Sequence, residues 1–140
     1  MASTPAPFVL DCSVTMAWLF AGECTERDRA ALKALAVRGA VVPALWRLEV
    51  ANCLVQAEKK QVITRDQAVV FLDKLSALPI DVIETRPRQS VEMVMLAAQQ
   101  FALTAYDAAY LMTAMEFGCP IVTKDKALQA AAVRARLPEF

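Results

Sequence analysis

Apolar residues along this chain alternate between two rhythms. Short apolar runs, "PFVL", "AVVPA", "IDVIE" and "PIVT", have the length and bounding turns of buried strands. Between them lie longer stretches with helical spacing. After the first run comes "TMAWLF", a short apolar helix or turn. Thr25 then opens a helix in a Thr-x-x-Asp box with Asp28, and Gly39 closes it. A helix from Leu45 to about Lys60 follows the second run. Thr64 and Gln67 box the next helix, which continues through "AVVFLDKLSAL". After the third run, Pro87 suits the first turn of a helix through "VEMVMLAAQQFAL". Thr104 starts "AYDAAYLMTAMEF", which Gly118 closes, and "DKALQAAAVRA" is the last helix. Strands separated by helices predict an α/β fold in which helices cover both faces of a parallel sheet. The chain reads as a single domain over residues 1–140, without repeats or linkers. The sheet is expected to have four or five strands, and the tail "RLPEF" is short for a fifth.

Acidic residues cluster at one predicted edge of that sheet. Ligands of open parallel sheets bind beyond the carboxyl ends of the strands. Asp11 directly follows strand one, and Asp125 follows strand four. Asp107 lies in the first turn of the helix before strand four, and Glu49 one turn into the helix after strand two. Carboxylates brought together repel one another unless a cation lies among them, and Mg²⁺ or Mn²⁺ is the hard, oxygen-seeking choice. Each acid also has a plainer role open to it. Asp107 completes a capping box with Thr104, Asp125 is placed to N-cap the last helix, and Asp11 can cap a turn. Glu49 sits on a helix whose first turns are apolar nearly all round, so it needs a partner, and Arg47 and Arg86 are the salt-bridge candidates. Ser13 and Thr123 flank the acids, either orienting water or phosphate or bonding their own turns.

Composition narrows the chemistry. The chain has no histidine, which removes imidazole bases and most zinc sites. Its four cysteines, Cys12, Cys24, Cys53 and Cys119, form no C-x-x-C pair and read as reduced, buried hydrophobes. Lysine plus arginine balance aspartate plus glutamate at 15 each, so nothing suggests broad affinity for nucleic acid, although a local patch stays open. Lys59, Lys60, Arg86, Arg88, Lys124 and Lys126 are the cations nearest the predicted edge or on ordinary solvated faces. A hydrophobic content of 57% and a mean hydropathy of +0.38 suggest that a partner covers apolar surface. No apolar run reaches the roughly 18 residues of a membrane span, and "MASTPAPF" lacks signal-peptide character, so a cytoplasmic, membrane-free location is expected.

The segments "LDCS", "VPALWRLEVANCL", "LTAYDAAYLMTA" and "IVTKD" together resemble the successive motifs of PIN-domain ribonucleases, and most closely those of small bacterial VapC-type toxins. The resemblance runs from Phe8 to about Ala131, and Tyr106–Leu111 is its most specific part. It implies a PIN-like three-layer α/β/α fold. The acid positions fall on Asp11, Glu49, Asp107 and Asp125, with Asp11, Asp107 and Asp125 as the metal-holding group. Ser13, Asn52 and Thr123 match supporting polar positions. The implied activity is Mg²⁺- or Mn²⁺-dependent endonucleolytic cleavage of RNA. The implied partners are a cognate antitoxin and a second toxin subunit in a homodimer.

The mechanism expected on this basis is hydrolysis by a metal-activated water. Glu49 orients or deprotonates that water, and the ends left are 5′-phosphate and 3′-hydroxyl. Two other classes compete. A haloacid-dehalogenase-type phosphatase wants Asp-x-Asp after strand one, and Ser13 occupies the second position here. A non-catalytic α/β interaction module would use the same acids as caps and salt bridges.

Overall fold

The computed structural model describes residues 5–84 and 90–140. Its strands are β1 (Phe8–Leu10), β2 (Ala40–Pro43), β3 (Ile80–Ile83) and β4 (Ile121–Val122). They form one parallel sheet in the order β3-β2-β1-β4. The helices among the described residues are α1 (Cys12–Ala17), α2 (Glu26–Arg38), α3 (Leu45–Lys59), α4 (Arg65–Ser76), α5 (Val91–Phe101), α6 (Ala105–Phe117) and α7 (Lys126–Arg134), with a 3₁₀ turn at Ala21–Glu23. Helices flank the sheet, as the alternation predicts.

Burial explains why such short strands hold their places. Phe8, Val9 and Leu10 are completely buried, and each side chain contributes roughly 2 kcal/mol by leaving water. Helix α6 packs across β1, β2 and β4 and buries Tyr110, Leu111 and Ala114. The strand order has one consequence for the site. From β1 the chain moves outward through β2 to β3, then returns to place β4 on the other side of β1. The order therefore reverses between β1 and β4, and a crevice opens at the carboxyl ends of strands on either side of such a reversal. The Asp11 N–H donates to the Val122 carbonyl at 3.1 Å and ties the two strand ends together there.

The predicted caps form. Thr25 with Asp28 and Thr64 with Gln67 make reciprocal capping boxes at α2 and α4. Gly39 ends α2 at φ 72° and Gly118 ends α6 at φ 59°, a region that disfavours side chains.

Some expectations need correction. Helix α1 starts at Cys12 rather than Thr15, because the Asp11 carbonyl accepts from the Val14 and Thr15 N–H groups and opens the helix at once. Helix α5 starts after Ser90, whose hydroxyl accepts from the Met93 N–H at 3.2 Å; Pro87 lies outside the described residues. The tail adds no strand among the described residues. Instead, Phe140 packs edge-on against Phe8 with ring centroids 5.1 Å apart. Cys12 and Cys119 are buried as expected, but Cys24 and Cys53 are only partly so, and all four are free thiols. No helix among the described residues is long and apolar enough to cross a membrane.

Candidate active site

Asp11 is 6% exposed, and two hydroxyls satisfy its Oδ2. Ser13 Oγ donates to it at 2.8 Å and Thr123 Oγ1 at 2.6 Å. The same hydroxyls accept from the loop after β4: Ser13 from the Lys124 N–H and Thr123 from the Asp125 N–H, each at 3.0 Å. Each hydroxyl thus uses its proton on the acid and a lone pair on the backbone. Neither bonds its own turn alone. Together they lock the end of β1 to the end of β4.

Glu49 enters from α3 and is half-buried. Its Oε1 accepts from the Tyr110 hydroxyl of α6 at 2.6 Å. Of the two arginines offered as salt-bridge partners for it, Arg47 pairs instead with Glu84 at 2.8 Å on the surface, and Arg86 lies outside the described residues. Burial pushes the Glu49 carboxyl above its ordinary pKa; the Tyr110 hydroxyl opposes that, and the charges of Asp11 and Asp107 add to the rise. Tyr110 is driven up by burial and by its bond to Glu49, so it stays a proton donor.

Asp107 stands in the first turn of α6. Its backbone N–H is capped by Thr104 Oγ1 at 3.1 Å, but its carboxylate does not return to the Thr104 N–H among the described residues. The box expected there is only half made. Burial raises the Asp107 pKa, the charges of Asp125 and Asp11 raise it further, and the Thr104 hydroxyl opposes. Asp125 is the N-cap of α7, with Oδ1 accepting from the Leu128 N–H at 2.9 Å. Here the plainer role is realised, yet the residue also faces the other acids.

Asp11, Glu49, Asp107 and Asp125, with Ser13 and Asn52, line one open cavity of about 530 Å³. Asn52 is exposed at its wall, one helical turn past Glu49. The donor chemistry is carboxylate oxygen without imidazole, which fits a hard divalent cation. Among the described residues, no three of the Asp, Glu and Cys groups stand close enough to hold an ion unaided.

Sequence reasoning missed the role of Tyr110 and the partner of Lys124. Tyr110 is three residues past Asp107, so both share a face of α6; that spacing was the available signal. Lys124 was a candidate cation for nucleic acid, but its ammonium is committed to Asp28 Oδ2 at 2.6 Å and to the Glu23 carbonyl at 3.1 Å.

A family model for the PIN domain matches residues 8–134. Among solved structures, the crystal structure of PAE2754 from Pyrobaculum aerophilum is similar, with a TM-score of 0.68 and 22% sequence identity over 95% of this chain and 91% of that one. At that identity the likeness speaks to the fold. No curated protein gives a significant match.

Proposed function

This chain belongs to the PIN-domain family, whose members are generally nucleases, and from that premise we propose that it is a Mg²⁺- or Mn²⁺-dependent endoribonuclease, the toxin of a toxin–antitoxin pair. The observation that carries the reading is the meeting of carboxylates from β1, α3, α6 and α7 in one cavity at the reversal of strand order. Asp11, Asp107 and Asp125 are the proposed holders of the ion, which when bound supplies positive charge to a phosphate oxygen and acidifies water. Ser13 and Thr123 fix one oxygen of Asp11. Glu49 orients the attacking water and takes its proton, a task favoured by a carboxyl whose pKa is raised by burial. Tyr110 is the positioning residue for Glu49, holding Oε1. Asn52 offers an amide to the RNA at the cavity wall.

Protein partners are part of the proposal. Helix α5 exposes Val91, Met93, Met95 and Leu96, and exposed apolar side chains in such number on one helix support coverage by a cognate antitoxin and by a second copy of the chain. The phosphatase alternative gains no support, since Ser13 fills the position of its second acid and spends its hydroxyl on Asp11.

The test is incubation of the purified protein with total RNA, with and without Mn²⁺, followed by mapping of the cut ends. The expected result is EDTA-sensitive cleavage leaving 5′-phosphate and 3′-hydroxyl ends. Failure to bind Mn²⁺ together with absence of EDTA-sensitive cleavage would favour the non-catalytic interaction module.

A further inference from the structure

One pair of thiols at the cavity has no part in the hydrolysis; burial pushes the Cys12 thiol up, and Cys53, Glu49 and Asp11 push it further, so Cys12 is not the one to meet an oxidant first. Cys12 Sγ and Cys53 Sγ lie 3.9 Å apart, although 41 residues separate them in sequence. Cys12 is the first residue of α1, directly after Asp11. Cys53 lies on α3, one helical turn past Glu49. Helices α1 and α3 pack against each other, and both cysteines line the carboxylate cavity, so small solutes reach them. The other two cysteines lack such a partner among the described residues. Cys119 is completely buried, and the Cys24 sulfur meets only the carbonyl of its neighbour Thr25, at 3.9 Å.

We infer that Cys12 and Cys53 form a reversible oxidation site, closed to a disulfide by hydrogen peroxide or an organic hydroperoxide, and that closure lowers the activity of the adjoining carboxylate site. The second half rests on the nuclease reading; the first does not. A disulfide needs the sulfurs about 2 Å closer than thiols in contact. That shift draws the first turn of α1 toward α3, and with them the elements that carry Asp11 and Glu49. In the first step the more accessible Cys53 sulfur attacks the hydroperoxide. The O–O bond breaks, a sulfenic acid forms on Cys53, and an alcohol (water, from hydrogen peroxide) leaves. In the second step the Cys12 sulfur attacks the Cys53 sulfur, the S–O bond breaks, and the hydroxyl departs with the thiol proton as water. The thiols lose two electrons and two protons, and the hydroperoxide accepts them. A small dithiol reductant reverses the change by exchange.

The experiment treats the reduced full-length chain with hydrogen peroxide without denaturant, alkylates the remaining thiols and maps the products by mass spectrometry. The expected result is a loss of about 2 Da from the unalkylated protein, a linked peptide pair containing Cys12 and Cys53, and reversal by dithiothreitol. Cys53→Ala abolishes the link, and Cys24→Ala leaves it intact. Four alkylatable thiols after treatment, or a link through another cysteine, would overturn the site. The second arm measures Mn²⁺-dependent RNA cleavage by the oxidised and re-reduced protein, with about a tenfold or greater fall expected on closure, since displacements near 1 Å are costly at such sites. A formed disulfide with unchanged cleavage overturns the control while the site stands. A formed disulfide in a protein that never cleaves RNA overturns the nuclease reading instead.

Discussion

Two helices of this protein begin with the same four-residue signature and use it differently. At the start of α2, Thr25 and Asp28 close a reciprocal box: the Asp28 N–H donates to Thr25 Oγ1 at 3.2 Å, and the Thr25 N–H donates to Asp28 Oδ2 at 2.9 Å. At the start of α6, Thr104 caps the Asp107 N–H, but the Asp107 carboxylate makes no return bond to the Thr104 N–H among the described residues and feels the charges of Asp125 and Asp11. The surrounding charges account for the contrast. Asp28 faces the Lys124 ammonium. Burial alone would raise its pKa, but the bonds from Lys124 and Thr25 outweigh that and hold it below the ordinary aspartate value. Asp107 faces two other acids and is pushed the opposite way. One carboxylate is spent on the fold, and the other is kept in a state that only a cation or a proton relieves.

The largest expected effect separates the two on activity. Asp107→Asn should lower Mn²⁺-dependent RNA cleavage by about a thousandfold, the scale on which lost charge stabilisation at a reacting centre is felt. Asp28→Asn should retain cleavage within about tenfold, losing only what a loosened Lys124 loop costs. Equal losses in single-turnover assays would erase the distinction.

Stability should separate them in the other direction. Asp28→Asn leaves Lys124 beside a neutral amide and should cost about 2 kcal/mol at neutral pH in denaturant titration. Asp28 has a depressed pKa, so its contribution is present above the ordinary aspartate value and is lost as pH falls through the folded one. The gap between wild type and Asp28→Asn should therefore close in acid. Asp107 has a raised pKa. Its favourable share is complete below the ordinary value and is lost as pH rises through the folded one. Asp107→Asn should therefore raise Tm at neutral pH without metal and make no difference in acid. A lower Tm for Asp107→Asn at neutral pH would contradict this assignment.

The smallest effect concerns Glu49, which feels the charges of Asp11 and Asp107. Tyr110→Phe removes the hydroxyl that restrains the Glu49 pKa. Cleavage should fall by roughly fivefold at its optimum, the worth of about one hydrogen bond. The acid limb of the pH–rate profile should also move to higher pH. A decrease with no movement of that limb would mean that Tyr110 serves packing alone.

Much of this contrast was visible in the linear chain, and part was not. Both Thr-x-x-Asp signatures are local, and so are the glycine stops at Gly39 and Gly118, so the limits of α2 and α6 were legible, whereas the start of α1 depends on the Asp11 carbonyl. The sheet-edge position of Asp11 followed from its strand, because β1 is short, apolar and fully buried. What decides the fate of each acid is distant. Lys124 reaches Asp28 across 96 residues, and Tyr110 reaches Glu49 across 61. Glu49 does have the partner its surroundings called for, in Tyr110, but its enclosure was overread for a related reason. Apolar neighbours on a helical wheel suggested enclosure, yet Leu48 is 75% exposed. Apolar composition states what a residue would gain by burial, not that the fold buries it.

The placement of β4 beside β1 also bears on how the molecule comes into being. The Asp11–Thr123 bond joins positions 112 residues apart, so it closes late, after most of the loop entropy has been spent. On the ribosome, a chain that has displayed Asp11, Glu49 and even Asp107 still lacks the strand and hydroxyl that hold Asp11 in place. A growing polypeptide would lack an assembled carboxylate cavity until β4 and Thr123 had emerged.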